Sequence, residues 1–209
     1  MSWLKRLIGT AEPTPKPYAQ SVPCTYEGDG GDSWYVPSDK DEKRFVGPDG
    51  MPTLRLIKYR DSSGEEVLRL CEDGTGLLVS PSDARLPKIG IFVSQLRGEG
   101  YYAASCKAGD FSPGATVRLV PEPQNVHDPH AVAVYDGTGR HLAAYINKQK
   151  ARQVSKLLAA GNPLKAISIR GTRAGQACPQ VAILAAHPDF LARLLSPRPG
   201  HLPTPAHLR

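Results

Sequence analysis

Between Leu119 and Ala151 the chain gathers side chains able to do chemistry. Gln124, Asn125, His127 and Asp128 crowd a polar turn bounded by Pro121 and Pro129, with His130 just beyond it. A carboxylate such as Asp128 accepts a hydrogen bond from a free hydroxyl and repels a phosphate in the same place. Asn125, three residues earlier, can assist. Both residues can equally cap the turn by accepting backbone N–H groups. Gln124 can contact a base or shape the turn, and His127 can stack, bond a phosphate or stand in solvent. A metal-dependent hydrolase built on His127, Asp128 and His130 is a weaker alternative. Ligands crowded on one turn rarely close around an ion, and no carboxylate cluster accompanies them.

Aromatic and basic residues surround this turn. Tyr101 and Tyr102 could stack on bases, and on a strand only one of two neighbours can face a pocket. Tyr145 is a second stacking candidate, with a core role as the alternative. Lys148 and Arg152 stand near a helix start, where backbone N–H groups also favour anions. Long basic side chains on a helix are as readily plain solvated residues.

The elements that must position these groups are mostly strands. Ala115 to Val120 reads as a strand entering the turn. The chain leaves it with Val132 and Val134 on one face and Ala131, Ala133 and Tyr135 on the other. Asp136-Gly137-Thr138-Gly139 is a tight turn before a strand from Leu142 to Ile146. A helix comes next over Lys148 to Ala160, with Ala151, Val154, Leu157 and Leu158 as its apolar stripe and Gly161 as its stop. Strands are expected at Leu164 to Arg170 and Val181 to Ala185. A short helix then starts at His187-Pro188-Asp189. Upstream, Ile89 to Tyr102 is β-rich, and Gly98 and Gly100 imply a bulge or close backbone approach. Ala103 to Ala108 is a helical turn. Leu54 to Tyr59 and Glu66 to Cys71 form a β-hairpin, with a third strand near Leu77 to Val79. The sequence leaves open whether this hairpin is a separate subdomain or covers an edge of the main domain.

The expected division is an N-terminal segment and Pro-rich linker (1–23), a partly disordered region with the hairpin (24–88), the main domain (89–195) and a disordered tail (196–209). In residues 1–9 Trp3, Leu4, Leu7 and Ile8 share a helical face with Lys5 and Arg6 opposite, a short N-terminal turn at that length, with a membrane-surface or partner-docking helix as the alternative. Tyr26 to Asp49 is expected to be irregular, with Asp39 to Arg44 a solvated charge run. With 20 Pro and 20 Gly in 209 residues, short strands and many turns are expected. The net charge of +6 fits a nucleic acid or an acidic surface as partner. Cys24, Cys71, Cys106 and Cys178 are scattered, with no zinc spacing. No signal peptide or membrane-length apolar run is apparent, so a cytoplasmic protein with reduced thiols is the simplest expectation. No cofactor or metal is expected. No phosphate-binding G-x-x-x-x-G-K-[ST] loop is present.

One combined motif goes further. Leu119-Val120-Pro121-Glu122-Pro123-Gln124-Asn125, then Asp128, then Ala131-Val132-Ala133-Val134 resembles the HIRAN domain family. Tyr145-Ile146-Asn147-Lys148 with Ala151, and Gly98-Glu99-Gly100-Tyr101-Tyr102 upstream, extend the likeness over about residues 91–185. The resemblance implies a mainly β (α+β) fold: a small OB-like β-barrel with one or two helices. To this the chain adds the N-terminal β-hairpin region and disordered Pro-rich arms. It also implies a non-enzymatic module that binds single-stranded DNA at a free 3′-hydroxyl end, beside a DNA-processing protein in repair. By resemblance Tyr101 is the base contact. Gly100 and His127 depart from the family, whose members place a basic residue before the tyrosine and an aromatic one in the loop. A protein–protein adaptor using the same fold, hairpin and Pro-rich arms is the main alternative.

Overall fold

The computed structural model describes residues 34–37 and 41–208. The expected N-terminal segment, the linker and residues 26–33 and 38–40 of the irregular stretch lie outside them. The architecture is a small sheet laid against a barrel. Strands β1 (Leu54–Arg60), β2 (Glu66–Glu72) and β3 (Leu78–Val79) form an antiparallel sheet in that order. Six further strands come after: β4 (Phe92–Arg97), β5 (Thr116–Pro121), β6 (Val132–Asp136), β7 (Leu142–Ile146), β8 (Lys165–Arg170) and β9 (Ala182–Ala186). They close into an antiparallel barrel in the order β4-β7-β6-β5-β8-β9. Among the described residues three α-helices accompany them: α1 (Ala103–Ala108), α2 (Lys148–Ala159) and α3 (Pro188–Leu195). The mainly β, OB-like barrel with a few helices is thus the fold of this chain.

Pleating sends alternate side chains inward. Phe92 and Leu96 of β4, Val132 and Val134 of β6, Ala144 and Ile146 of β7, and Ile183 and Ala185 of β9 fill the barrel. α2 adds Ala151 and Val154 to the same interior. Asn147 caps this helix by accepting the Gln149 N–H at 3.1 Å. Register shifts at Val134/Tyr135 and Ser168/Arg170 supply the bends that closure requires.

A second core lies outside the barrel. The outward residues Val93, Ile167, Ile169, Leu184 and Ala186 are buried too, against Leu54, Leu70 and Val79 of the sheet and Leu191 and Leu194 of α3. β4, β8 and β9 are therefore covered on both faces, which is why Ala182–Ala186 reads as unbroken apolar sequence. The hairpin region is a cover on that half of the barrel. The opposite half, β5 to β7, is more open: Arg118 and Val120 are exposed and Tyr135 and Tyr145 half-buried, while Ala133 and Ala143 are buried.

Two segments expected to be unstructured differ from that expectation. Glu42–Phe45 is a 3₁₀ turn whose Phe45 is buried, and Arg44 leaves the solvent to pair with Glu72 at 2.6 Å. The Pro-rich tail runs back along the sheet. Arg198 donates to the carbonyls of Glu72 and Asp73, Ala206 N–H to that of Gly76, and the His207 ring lies 5.1 Å from Tyr59. Such contacts join residues more than a hundred positions apart, so composition could not show them. Cys71, Cys106 and Cys178 are free, buried thiols. Among the described residues no helix is long and apolar enough to cross a membrane.

The turn between β6 and β7 rests on Asp136. Its carboxylate accepts from Thr138 Oγ1, from the backbone N–H groups of Arg140 and His141, and meets His141 Nδ1 at 2.9 Å. Burial pushes the carboxyl upward, but the hydrogen bonds from His141, Thr138 and the backbone outweigh it and bring its pKa down to about 2. A folded-state pKa below the unfolded one stabilises the fold above the unfolded value, and that stability is lost as pH falls through the folded value. Urea unfolding between pH 4 and pH 2 should show a loss of about 2 kcal/mol from this residue. Asp136→Asn should remove that component of the slope; an unchanged slope would mean the turn does not depend on the ionised carboxylate.

Candidate functional site

The site lies on the open half of the barrel. Register places Val120 opposite Ala133, Ala133 opposite Tyr145, and Tyr145 opposite Arg97. Directly opposed residues share a face. The neighbouring pair Leu96 and Ile146 belongs to the interior, so the row Val120–Ala133–Tyr145–Arg97 crosses the outer surface.

The elbow between β5 and β6 closes over one end of this row. Glu122 N–H donates to the Ala131 carbonyl at 2.9 Å, and Asn125 N–H to that of Glu122 at 3.0 Å. Asn125 Oδ1 accepts from the N–H groups of His127 and Asp128, and Asp128 Oδ1 accepts from His130 N–H at 2.8 Å. Both Asx residues therefore shape the loop, the capping role their types allow. They differ in what they have left. Asn125 also spends its amide, donating to Glu122 Oε2 at 2.9 Å. The second oxygen of Asp128 accepts nothing among the described residues, and the residue is only half-buried.

The aromatic turn comes from the other side. β4 ends at Arg97, and Gly98 takes a left-handed φ of 95° that a side chain would strain. The chain then folds as a 3₁₀ turn, Glu99–Tyr102. Tyr101 and Tyr102 are thus not on a strand, and pleat alternation does not sort them. The turn does so instead: Tyr101 projects outward, 92 % exposed, while Tyr102 packs on Tyr145 with ring centroids 5.9 Å apart.

Glu122 joins the two halves and was missed by residue-type reasoning. Its Oε2 accepts from Tyr145 Oη at 3.1 Å as well as from Asn125. The elbow is thereby tied to β7 and, through Tyr145, to Tyr102. Its position three residues before Asn125, at the end of a strand, was the signal available. Burial raises the Tyr145 phenol well above the ordinary tyrosine range, and its neighbours Tyr102 and Glu122 add to the effect.

The remaining candidates are scattered around this centre. Gln124 and His127 are exposed on the elbow, and Lys148 and Arg152 are exposed on α2. Lys150 points the other way, donating to the carbonyls of Val93 and Pro81; burial lowers its pKa. No group of three His, Cys, Asp or Glu residues gathers to hold a metal among the described residues. A crevice of about 170 Å³ lies elsewhere, lined by Leu68 of β2, Gln95 of β4 and Ile169 of β8.

The tie can be read spectroscopically. In an alkaline absorbance titration Tyr145→Phe should remove the latest phenolate component. Glu122→Gln should shift that component toward the ordinary tyrosine range without reaching it, because burial and Tyr102 remain. A late component unmoved in Glu122→Gln would show that Glu122 does not hold Tyr145 in solution.

Several solved structures are similar to this chain. The crystal structure of the HIRAN domain of human HLTF shares 16% identity, over 50% of this chain and 83% of that one, with a TM-score of 0.38. A crystal structure of a protein from Lactobacillus plantarum shares 19% identity over 46% and 92%, with a TM-score of 0.36. An NMR structure of the HLTF HIRAN domain shares 14% over 51% and 88%, with a TM-score of 0.30. No curated protein matches the chain. Residues 89–176, which carry the aromatic turn, the elbow and α2, match the model of the HIRAN domain family.

Proposed function

We propose that the open half of the barrel is a nucleic-acid-binding surface that takes single-stranded DNA at a free 3′ end, as a binding module rather than a catalyst, in DNA repair or processing. The reading rests on one juxtaposition. A rigid elbow holds a carboxylate oxygen of Asp128 without a partner among the described residues, and Glu122 ties that elbow to the tyrosine pair Tyr102–Tyr145. Tyr101 offers a nearly bare ring for a base, a contact worth about 1–3 kcal/mol whatever the base. Asp128 would accept the terminal hydroxyl and disfavour a phosphate there. Lys148 and Arg152 would face the backbone of the strand from α2. The family match over residues 89–176 supports the same reading.

Fluorescence anisotropy with oligonucleotides differing only at the terminus tests it. The wild type should prefer a 3′-hydroxyl over a 3′-phosphate end, and affinity should fall as salt rises. Asp128→Asn keeps an acceptor for the His130 N–H but removes the charge. It should weaken 3′-hydroxyl binding by about tenfold and narrow the preference between the two ends. Equal losses on both ends would reduce Asp128 to a loop-shaping residue. A salt-insensitive surface with no oligonucleotide affinity would favour a protein partner instead.

A further inference from the structure

Rings and cations also gather on the three-stranded sheet, away from the barrel site. Trp34 stands next to the isolated bridge that joins Tyr35 to Leu78 of β3. Its carbonyl accepts from Leu78 N–H at 2.7 Å, so its backbone is fixed, yet the residue is 45 % exposed. One exposed tryptophan would mean little by itself. Here it lines a groove of about 480 Å³ together with Tyr59, His207, Lys58 and Arg60. Tyr59 and His207 meet edge to face, with ring centroids 5.1 Å apart. The Arg69 guanidinium lies 5.9 Å from the centre of the Tyr59 ring.

The charge balance favours an anion. Arg60 donates to the Gly64 carbonyl at 3.1 Å, and among the described residues no carboxylate pairs with Arg60 or Arg69. Glu66 also lines the groove, but it is engaged with Lys58 at 3.0 Å. Aromatic rings flanked by surplus cations suit a single strand: bases of any kind stack on the rings while the cations meet phosphates. With its lining carboxylate engaged, the groove has no means of choosing a terminal hydroxyl, so internal nucleotides fit it as well as ends do. Trp34, Tyr59, Arg60, Arg69 and His207 all lie outside the segment 89–176 that carries the barrel site.

We propose that this groove is a second surface for single-stranded DNA, where Trp34 stacks on a base and Arg60 and Arg69 hold phosphates without regard to the strand's end. The inference rests on the single-strand reading of the barrel and extends it to a surface with its own residues. A guanidinium suits the phosphate, since its planar fork matches two oxygens at once.

The test is anisotropy on the full chain over a salt series, with one short DNA oligonucleotide carrying either a 3′-hydroxyl or a 3′-phosphate. The 3′-phosphate form isolates the groove, because the barrel site disfavours it. On that form Trp34→Ala should weaken binding about tenfold, and Trp34→Phe should recover most of the loss. Arg60→Ala should lower the logarithmic salt slope by about 0.7, the value for one phosphate contact on a single strand. Lys165→Ala removes the same charge from the exposed start of β8, outside the groove, and should leave the slope unchanged. Trp3 and Trp34 are the two tryptophans of the chain, so in a Trp3→Phe background the emission quenched by added oligonucleotide should be that of Trp34. If Trp34→Ala binds like the wild type and Trp34 emission does not change while the 3′-hydroxyl preference persists, the groove falls and the end-binding reading stands. If Trp34→Ala weakens both forms equally and the wild type prefers neither, the groove stands and end recognition falls. If the wild type binds no oligonucleotide, both fall.

Discussion

The constraint behind this architecture is burial of one half of the barrel on both faces. A six-stranded antiparallel barrel satisfies every strand edge by closing on itself. Its interior is small and filled by Ala, Val, Ile, Leu and Phe. The outward residues of β4, β8 and β9 would then expose Val93, Ile167, Ile169 and Leu184 if nothing covered them. The three-stranded sheet, α3 and the buried Phe45 remove that surface from water. On the other half, Arg118 and Val120 of β5 are exposed.

On that half the site is held together by one carboxylate. Glu122 accepts from both Asn125 and Tyr145, so the elbow and the tyrosine pair form one unit. This explains how a loop with prolines at both ends and polar residues between them can keep a defined shape without a core of its own. Its hydrogen bonds run inward to Asn125 and Asp128 and across to β7. Asp128, half-buried, keeps one carboxylate oxygen without a partner among the described residues. Among the described residues this surface offers acceptors on the elbow, the rings of Tyr101, Tyr102 and Tyr145, and the exposed cations Lys148 and Arg152 on α2.

The strands and helices were largely legible because each carries its own period. β1 and β2, the turn at Asp136 and the helix starts at Asn147 and His187 all fall where local patterning put them. The exceptions are instructive. Tyr101 and Tyr102 were read as strand residues because a β-rich run leads into them; a single left-handed glycine ended the strand first. Lys150 sits among exposed basic residues on its helix, yet its ammonium reaches two backbone carbonyls under the barrel edge. The prolines of the tail speak for disorder until the sheet's own carbonyls are seen waiting for Arg198 and Ala206 N–H.

By itself, the sequence determined the order of elements, the turn chemistry and the concentration of amide, carboxylate and imidazole groups between Pro121 and His130. These come from local rules: alternation, capping and the conformations that Gly, Pro, Asn and Asp allow. Only the tertiary structure decided which partner each group found. Glu122 meeting Tyr145, Arg97 lying opposite that same tyrosine, and the N-terminal sheet covering one barrel wall all depend on strand register and closure. Those join residues far apart in the chain, and no short-range pattern encodes which of two open faces they will share.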